Sequence, residues 1–135
     1  AVDHGRPLEL PPRDGIRYVA FAGPGANFFM ALMWALSLKL QVLTGLNEPF
    51  FAEMAKAGIV VNLVLAALNL LPILPLDGGR ILFSFLPSSA AYSFSRTEPY
   101  GMIVLIALLM LGILPMFIQP IVNVGLGVLT LLFNF

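Results

Sequence analysis

Leu68-Asn69-Leu70-Leu71-Pro72-Ile73-Leu74-Pro75-Leu76-Asp77-Gly78-Gly79-Arg80 is the stretch whose reading decides the fold. It closes an uncharged run over residues 57–76 and breaks the rules for a smooth membrane helix. Pro72 and Pro75 each lack a backbone N–H and collide with the carbonyl four residues back, so the helix must kink or unwind there. Unwound backbone at membrane depth survives only where protein or a wet cavity covers it. Asp77 follows the break directly, and an ionisable group at the edge of an apolar span is a functional candidate by default. Gly78 and Gly79 permit close approaches that a side chain would block. Asn69 precedes Pro72 by three residues, where its amide is placed to bond carbonyls freed by the proline. The expected product is a broken helix that delivers one carboxylate to a polar site. Read alone, Asp-Gly-Gly is more often a solvated turn.

Composition sets the solvent. Hydrophobic residues make up 59% of the 135-residue chain and charged residues 10%, against a usual charged share of about 25%. The charges fall between long apolar runs, so the fold class is all-α, a multi-pass membrane protein with the lipid bilayer as its partner. A net charge of +0 argues against nucleic acid. With no cysteine, disulfides and thiolate metal sites are excluded.

Three to four transmembrane helices are expected. Residues 1–17 hold Pro7, Pro11 and Pro12 among charged side chains and read as a polar N-terminal loop. His4, the single histidine, lies in that loop and reads as a surface residue rather than a ligand. The rest, 18–135, reads as the membrane domain, with spans at about 18–38, 57–76, 100–116 and 121–134. The first matches the roughly 20 residues that cross a bilayer. The last charge-free region, 99–135, is too long for one crossing, and Pro115 and Pro120 are expected to bracket a break within it. Asn62 and Asn69 are two turns apart and share a helix face that must point at protein.

Beyond the opening stretch, Ala22-Gly23-Pro24-Gly25-Ala26-Asn27 offers small residues for close helix approach and an amide for bonding across the contact. As a nucleotide-binding loop it fails, since no strand precedes it and the third glycine is missing. Glu98-Pro99-Tyr100-Gly101 opens the last apolar region with an acid and a proline in a first turn.

The spacing Asn69-x-x-Pro72-x-x-Pro75-Leu76-Asp77-Gly78-Gly79 resembles the second signature of the site-2 protease family of intramembrane zinc metalloproteases. The Ala22 to Asn27 and Glu98 to Gly101 stretches are similar to two further helices of a compact bacterial branch, so the resemblance covers most of the chain from Tyr18 onward. It implies a metalloendopeptidase that cleaves transmembrane protein substrates, located in a bacterial inner membrane. It implies that Asp77 is a zinc ligand, that Asn69, Pro72, Pro75, Gly78 and Gly79 shape a kink facing the substrate, and that Asn27 is a supporting polar contact. A hydrolytic zinc site needs about three protein ligands and an open position. The H-E-x-x-H helix that supplies two histidines and the general-base Glu is not in this sequence, so no catalytic residue is assigned in this chain. The chain, which does not begin with Met, is therefore expected to be a fragment starting after that helix. The alternatives are a catalytically inactive membrane scaffold (a pseudoprotease) and a small transporter component. Broken helices also build ion sites, but a transporter usually shows paired interruptions.

Lys and Arg set the orientation. Arg6, Arg13 and Arg17, with Arg80 and Arg96 on the 77–98 connector, outweigh Lys39 and Lys56. That bias puts the N-terminal segment and the connector on the cytoplasmic side. Single cysteines at Ser88 and at Asn47 should therefore react with an impermeant thiol reagent from opposite sides of a sealed membrane. Reaction from one side would sink this topology.

Overall fold

The computed structural model describes residues 13–134. Among these residues the chain forms helices and no strand: α1 Arg13–Leu43, α2 Pro49–Asn69, α3 Asp77–Phe85, α4 Ser88–Ser95, α5 Glu98–Met110 and α6 Leu114–Phe133. Three of them, α1, α2 and α6, are long and apolar enough to cross a membrane. The chain is an all-α membrane protein.

Two glycine caps determine where the long apolar runs stop. After α1, Gly45 takes φ 73°. Its N–H bonds the Val42 carbonyl, and the Leu46 N–H bonds the Gln41 carbonyl, the paired pattern of a Schellman cap. Pro49 then opens α2 in its first turn, where a missing N–H costs nothing. After α5 the same device recurs: Gly112 takes φ 71°, with Gly112 N–H to Leu109 O and Ile113 N–H to Leu108 O. The break in the last apolar region therefore falls at residues 111–113 rather than between the prolines. Pro115 sits in the first turn of α6 and Pro120 lies inside that helix.

Other boundaries also depart from the sequence reading. Helix α1 already includes residues 13–17, and residues 1–12, with His4, lie outside the described residues. Helix α2 begins at Pro49 and ends at Asn69, ahead of both prolines of the break. The 77–98 connector holds two short helices, α3 and α4, separated at Pro87.

The core lies where α1, α2 and α6 meet: Ala31 and Ala35, Ile59, Leu63 and Ala67, Val122 and Leu129. Small residues set the spacing. Gly58 of α2 lies flat against the Trp34 indole, and Gly125 of α6 receives the Leu63 side chain. Such close approach gives dispersion contact in lipid, where no hydrophobic drive separates helix from acyl chain.

The break itself is well packed. From α2 the chain turns through residues 70–76, with Leu71 and Leu74 buried and the Leu74–Pro75 peptide cis. Local bonds hold the turn: Leu71 N–H to Leu68 O, Ile73 N–H to Leu71 O and Leu76 N–H to Ile73 O. Three glycines then cover its backbone. Cβ atoms at Gly78 and Gly79 would collide with the backbone of residues 70–71 and 73–74, and one at Gly101 would overlap the Leu74 carbonyl. Gly101→Ala should consequently lower stability by about 1–3 kcal/mol, the usual range for overpacking. Gly25, with nothing within 4 Å, should tolerate alanine or gain about 0.5–1 kcal/mol. Thermal unfolding in detergent checks both, and equal melting of the two variants would contradict the clamp.

Candidate functional site

Asp77 is the first residue of α3. Its backbone entry angles at Leu76 are extended, φ −69° and ψ 159°, so the helix starts abruptly where the broken loop ends. A carboxylate in a first turn sits at the positive end of the helix dipole. The side chain is only partly buried.

The carboxylate leans on α1. A Cβ at Gly23 would collide with Asp77 Oδ2 and crowd Cγ. Gly23 thus provides the space that Asp77 occupies, and the stretch Ala22 to Asn27 meets the stretch Asn69 to Arg80 at that point. Pro24 is buried beside it. Asn27 lies one turn further along the same face of α1 and is half-buried. Among the described residues its amide makes no hydrogen bond, so its role as a supporting contact rests on position alone.

The far end of α3 is held by Arg17. Its Nε donates to Ser84 Oγ at 3.2 Å and its Nη2 to the Ser84 carbonyl at 3.0 Å. The guanidinium also stands 3.8 Å over the Phe85 ring, a cation–π arrangement, and Asp14 is 3.7 Å away. Ser84 Oγ in turn donates to Ile81 O at 2.6 Å. Helix α3 is therefore fixed to α1 at both ends, by Asp77 on Gly23 and by Ser84 on Arg17.

Asn62 is buried on the protein-facing side, as the sequence leads one to expect, whereas Asn69 bonds a different carbonyl from the one expected. Asn69 Nδ2 donates to Leu65 O at 3.0 Å, one turn back, and Asn62 Nδ2 to Gly58 O at 2.7 Å. The Leu68 carbonyl, which Pro72 leaves without its helical donor, receives the Leu71 N–H instead. Asn69 therefore bonds back onto its own helix and does not rescue the proline. Pro72 is exposed and Pro75 half-buried, whereas Gly78 and Gly79 are buried under the turn. Sequence reasoning missed Gly23 as the seat of Asp77, Gly101 as part of the clamp, and the Arg17–Ser84 tie. A glycine at the first turn of an apolar helix, like Gly101, is the one signal that pointed that way.

A cavity of about 560 Å³ opens between Ile16 and Val19 of α1, Leu74 of the turn and Phe83 of α3, with Arg80, Ser95 and Glu98 as its polar lining. Asp77 is not in its wall. Among the described residues no group of three His, Cys, Asp or Glu side chains is gathered to hold a metal. One carboxylate supplies one oxygen donor, so these residues do not fit a zinc ion unaided.

Comparison with known proteins places the chain. Residues 48–112, which hold the turn and Asp77, match the description "Peptidase family M50". The Bacillus subtilis protein named "Putative zinc metalloprotease YwhC" is 32% identical over 133 residues, covering 91% of this chain and 58% of that relative. The Methanocaldococcus jannaschii protein named "Zinc metalloprotease MJ0392" is 27% identical over 111 residues, covering 81% of this chain and 32% of its own length. The chain thus spans about half or less of the curated relatives it matches. No solved structure matches it. With the broken turn and Asp77 inside the matched region, the chain is similar over residues 48–112 to peptidase family M50.

Proposed function

We propose that this chain is the Asp77-bearing part of an intramembrane zinc metalloprotease that cleaves transmembrane protein substrates. The observation that carries the reading is the seating of Asp77 on Gly23, at the end of a clamped, non-helical turn. A ligand must be held to a fraction of an ångström to be useful, and supporting contacts commonly change metal affinity by roughly 10–100-fold. Here α3 is pinned at both ends and the turn is locked by glycines, so the carboxylate is presented on a rigid mount.

In this reading Asp77 offers one oxygen ligand, and the remaining ligands and the general base come from protein outside the described residues. Zinc, once bound, polarises a carbonyl and lowers the pKa of its water to about 7. The part assigned to this chain is positioning: Gly23 sets the depth of Asp77, Gly78, Gly79 and Gly101 hold the turn, and Arg17 stops α3 from rotating. No hydrolytic step is assigned to these residues. A second reading, a membrane scaffold without catalysis, draws on the absence of a three-ligand group among the described residues. The transporter reading has no comparable observation behind it.

The test adds an upstream helix carrying H-E-x-x-H and measures zinc by mass spectrometry of metals in the purified protein. That longer protein should bind one zinc and show chelator-sensitive peptide cleavage, whereas the 135-residue chain should retain little zinc. Asp77→Ala should abolish cleavage and deplete the metal. Full cleavage by Asp77→Ala overturns the ligand role, and a metal-loaded but inert longer protein favours the scaffold.

Gly23→Ala offers a separate check, because it touches Asp77 without removing a donor. Zinc affinity of the longer protein should fall by about 10–100-fold, while Gly25→Ala leaves it unchanged. Equal affinity in both variants would show that Asp77 does not depend on its seat.

A further inference from the structure

Helix α6 has two differently dressed sides. Leu114, Val122, Gly125 and Leu129 are buried, and Gly125 takes the Leu63 side chain of α2. At 100° per residue, Gln119, Asn123, Gly127 and Thr130 cluster about 135° round the axis from that side. All four are exposed, and Gly127 has no atom within 4 Å. Asn123 is the tenth residue of a 20-residue helix able to cross a membrane, so the two amides stand at mid-depth.

Amides facing acyl chains are costly unless bonded. Gln119 Nε2 donates to Asn123 Oδ1 at 2.8 Å, which uses one donor and one acceptor. The remaining inventory is balanced: Asn123 keeps its amide hydrogens and Gln119 keeps its carbonyl oxygen, with as many free donors as acceptor sites. Pro120, between them, also denies the Met116 carbonyl its usual helical N–H. A surface with equal donors and acceptors is complementary to itself.

We propose that this face of α6 is a contact between two copies of this chain. Copies inserted in one membrane share orientation and depth, so a two-fold axis along the membrane normal brings Gln119 and Asn123 of one copy level with those of the other. Each Asn123 amide then reaches the Gln119 oxygen of the other copy, one turn away along the axis, an isologous arrangement in which each contact occurs twice. Gly127 lets the backbones approach below the amides, and Thr130 adds a hydroxyl on the same stripe. Asp77 rests on α1, and the buried side of α6 faces α1 and α2, so the amide stripe points away from it. The inference stands independently of the zinc reading.

The chain contains no cysteine, which makes single-cysteine reporters clean. In membranes holding the 135-residue chain, Gly127→Cys should form a disulfide-linked dimer under mild oxidation. Met110→Cys, 81% exposed on α5, should not. Energy transfer between differently labelled copies should show the dissociation constant rising about tenfold when Gln119 and Asn123 are both changed to Leu, the scale of two modest interhelical bonds. The swapped pair Gln119→Asn with Asn123→Gln keeps both amides and should retain dimers. Crosslinking that ignores the Leu pair, a chain that remains monomeric in bilayers, or Gly127→Cys linking to a different protein would each overturn the proposal.

Discussion

The turn at residues 70–76 can exist in lipid only because something other than water meets its backbone, and three glycines make that possible. Gly78, Gly79 and Gly101 bring α3 and α5 against the peptide groups of the turn at distances no side chain would allow. The Leu68 and Leu71 carbonyls that Pro72 and Pro75 deprive of helical donors are paired within the turn, by the Leu71 and Ile73 N–H groups, and the glycines cover that backbone so closely that it is shielded by protein. The prolines impose the break and the glycines make it tolerable. Asp77 inherits a fixed position from that arrangement, since it begins the helix that follows directly.

This explains how three separated stretches act as one unit. Ala22 to Asn27, Asn69 to Arg80 and Glu98 to Gly101 are far apart in the chain, yet each provides a glycine at a contact with the turn or with Asp77. Their chemistry is subtractive: what each contributes is the absence of a Cβ. The match to peptidase family M50 over residues 48–112 includes two of the three. The first lies outside that match but falls in the wider similarity to the Bacillus subtilis relative.

Local chemistry was legible in the sequence, and non-local contact was not. That α2 must end near Pro72 follows from backbone sterics, and that Asp77 stands apart follows from its solitary charge beside apolar neighbours. No residue pattern states that Gly23 faces Asp77, because packing between α1 and α3 decides it. Arg17 read as a topology marker, although its fork holds Ser84. The last apolar region was misjudged for a different reason. Pro115 and Pro120 looked like breakers, but a proline in a first turn is harmless, and the stop came from Gly112 adopting a left-handed conformation. Asn69 was credited with the wrong carbonyl, since the Leu71 N–H was nearer to the one that Pro72 vacated.

The shortness of α5 has a consequence for the surrounding lipid. Its 13 residues extend about 20 Å at 1.5 Å per residue, against a hydrocarbon thickness of about 30 Å. Were a helix this short to cross, the mismatch would be met by local thinning of the bilayer or by drawing polar headgroups inward, at fractions of a kcal/mol per ångström. Because Gly101 of α5 abuts the turn that precedes Asp77, the leaflet would in that case dimple beside the carboxylate. The interfacial water layer would then lie closer to Asp77 than its place after an apolar span implies.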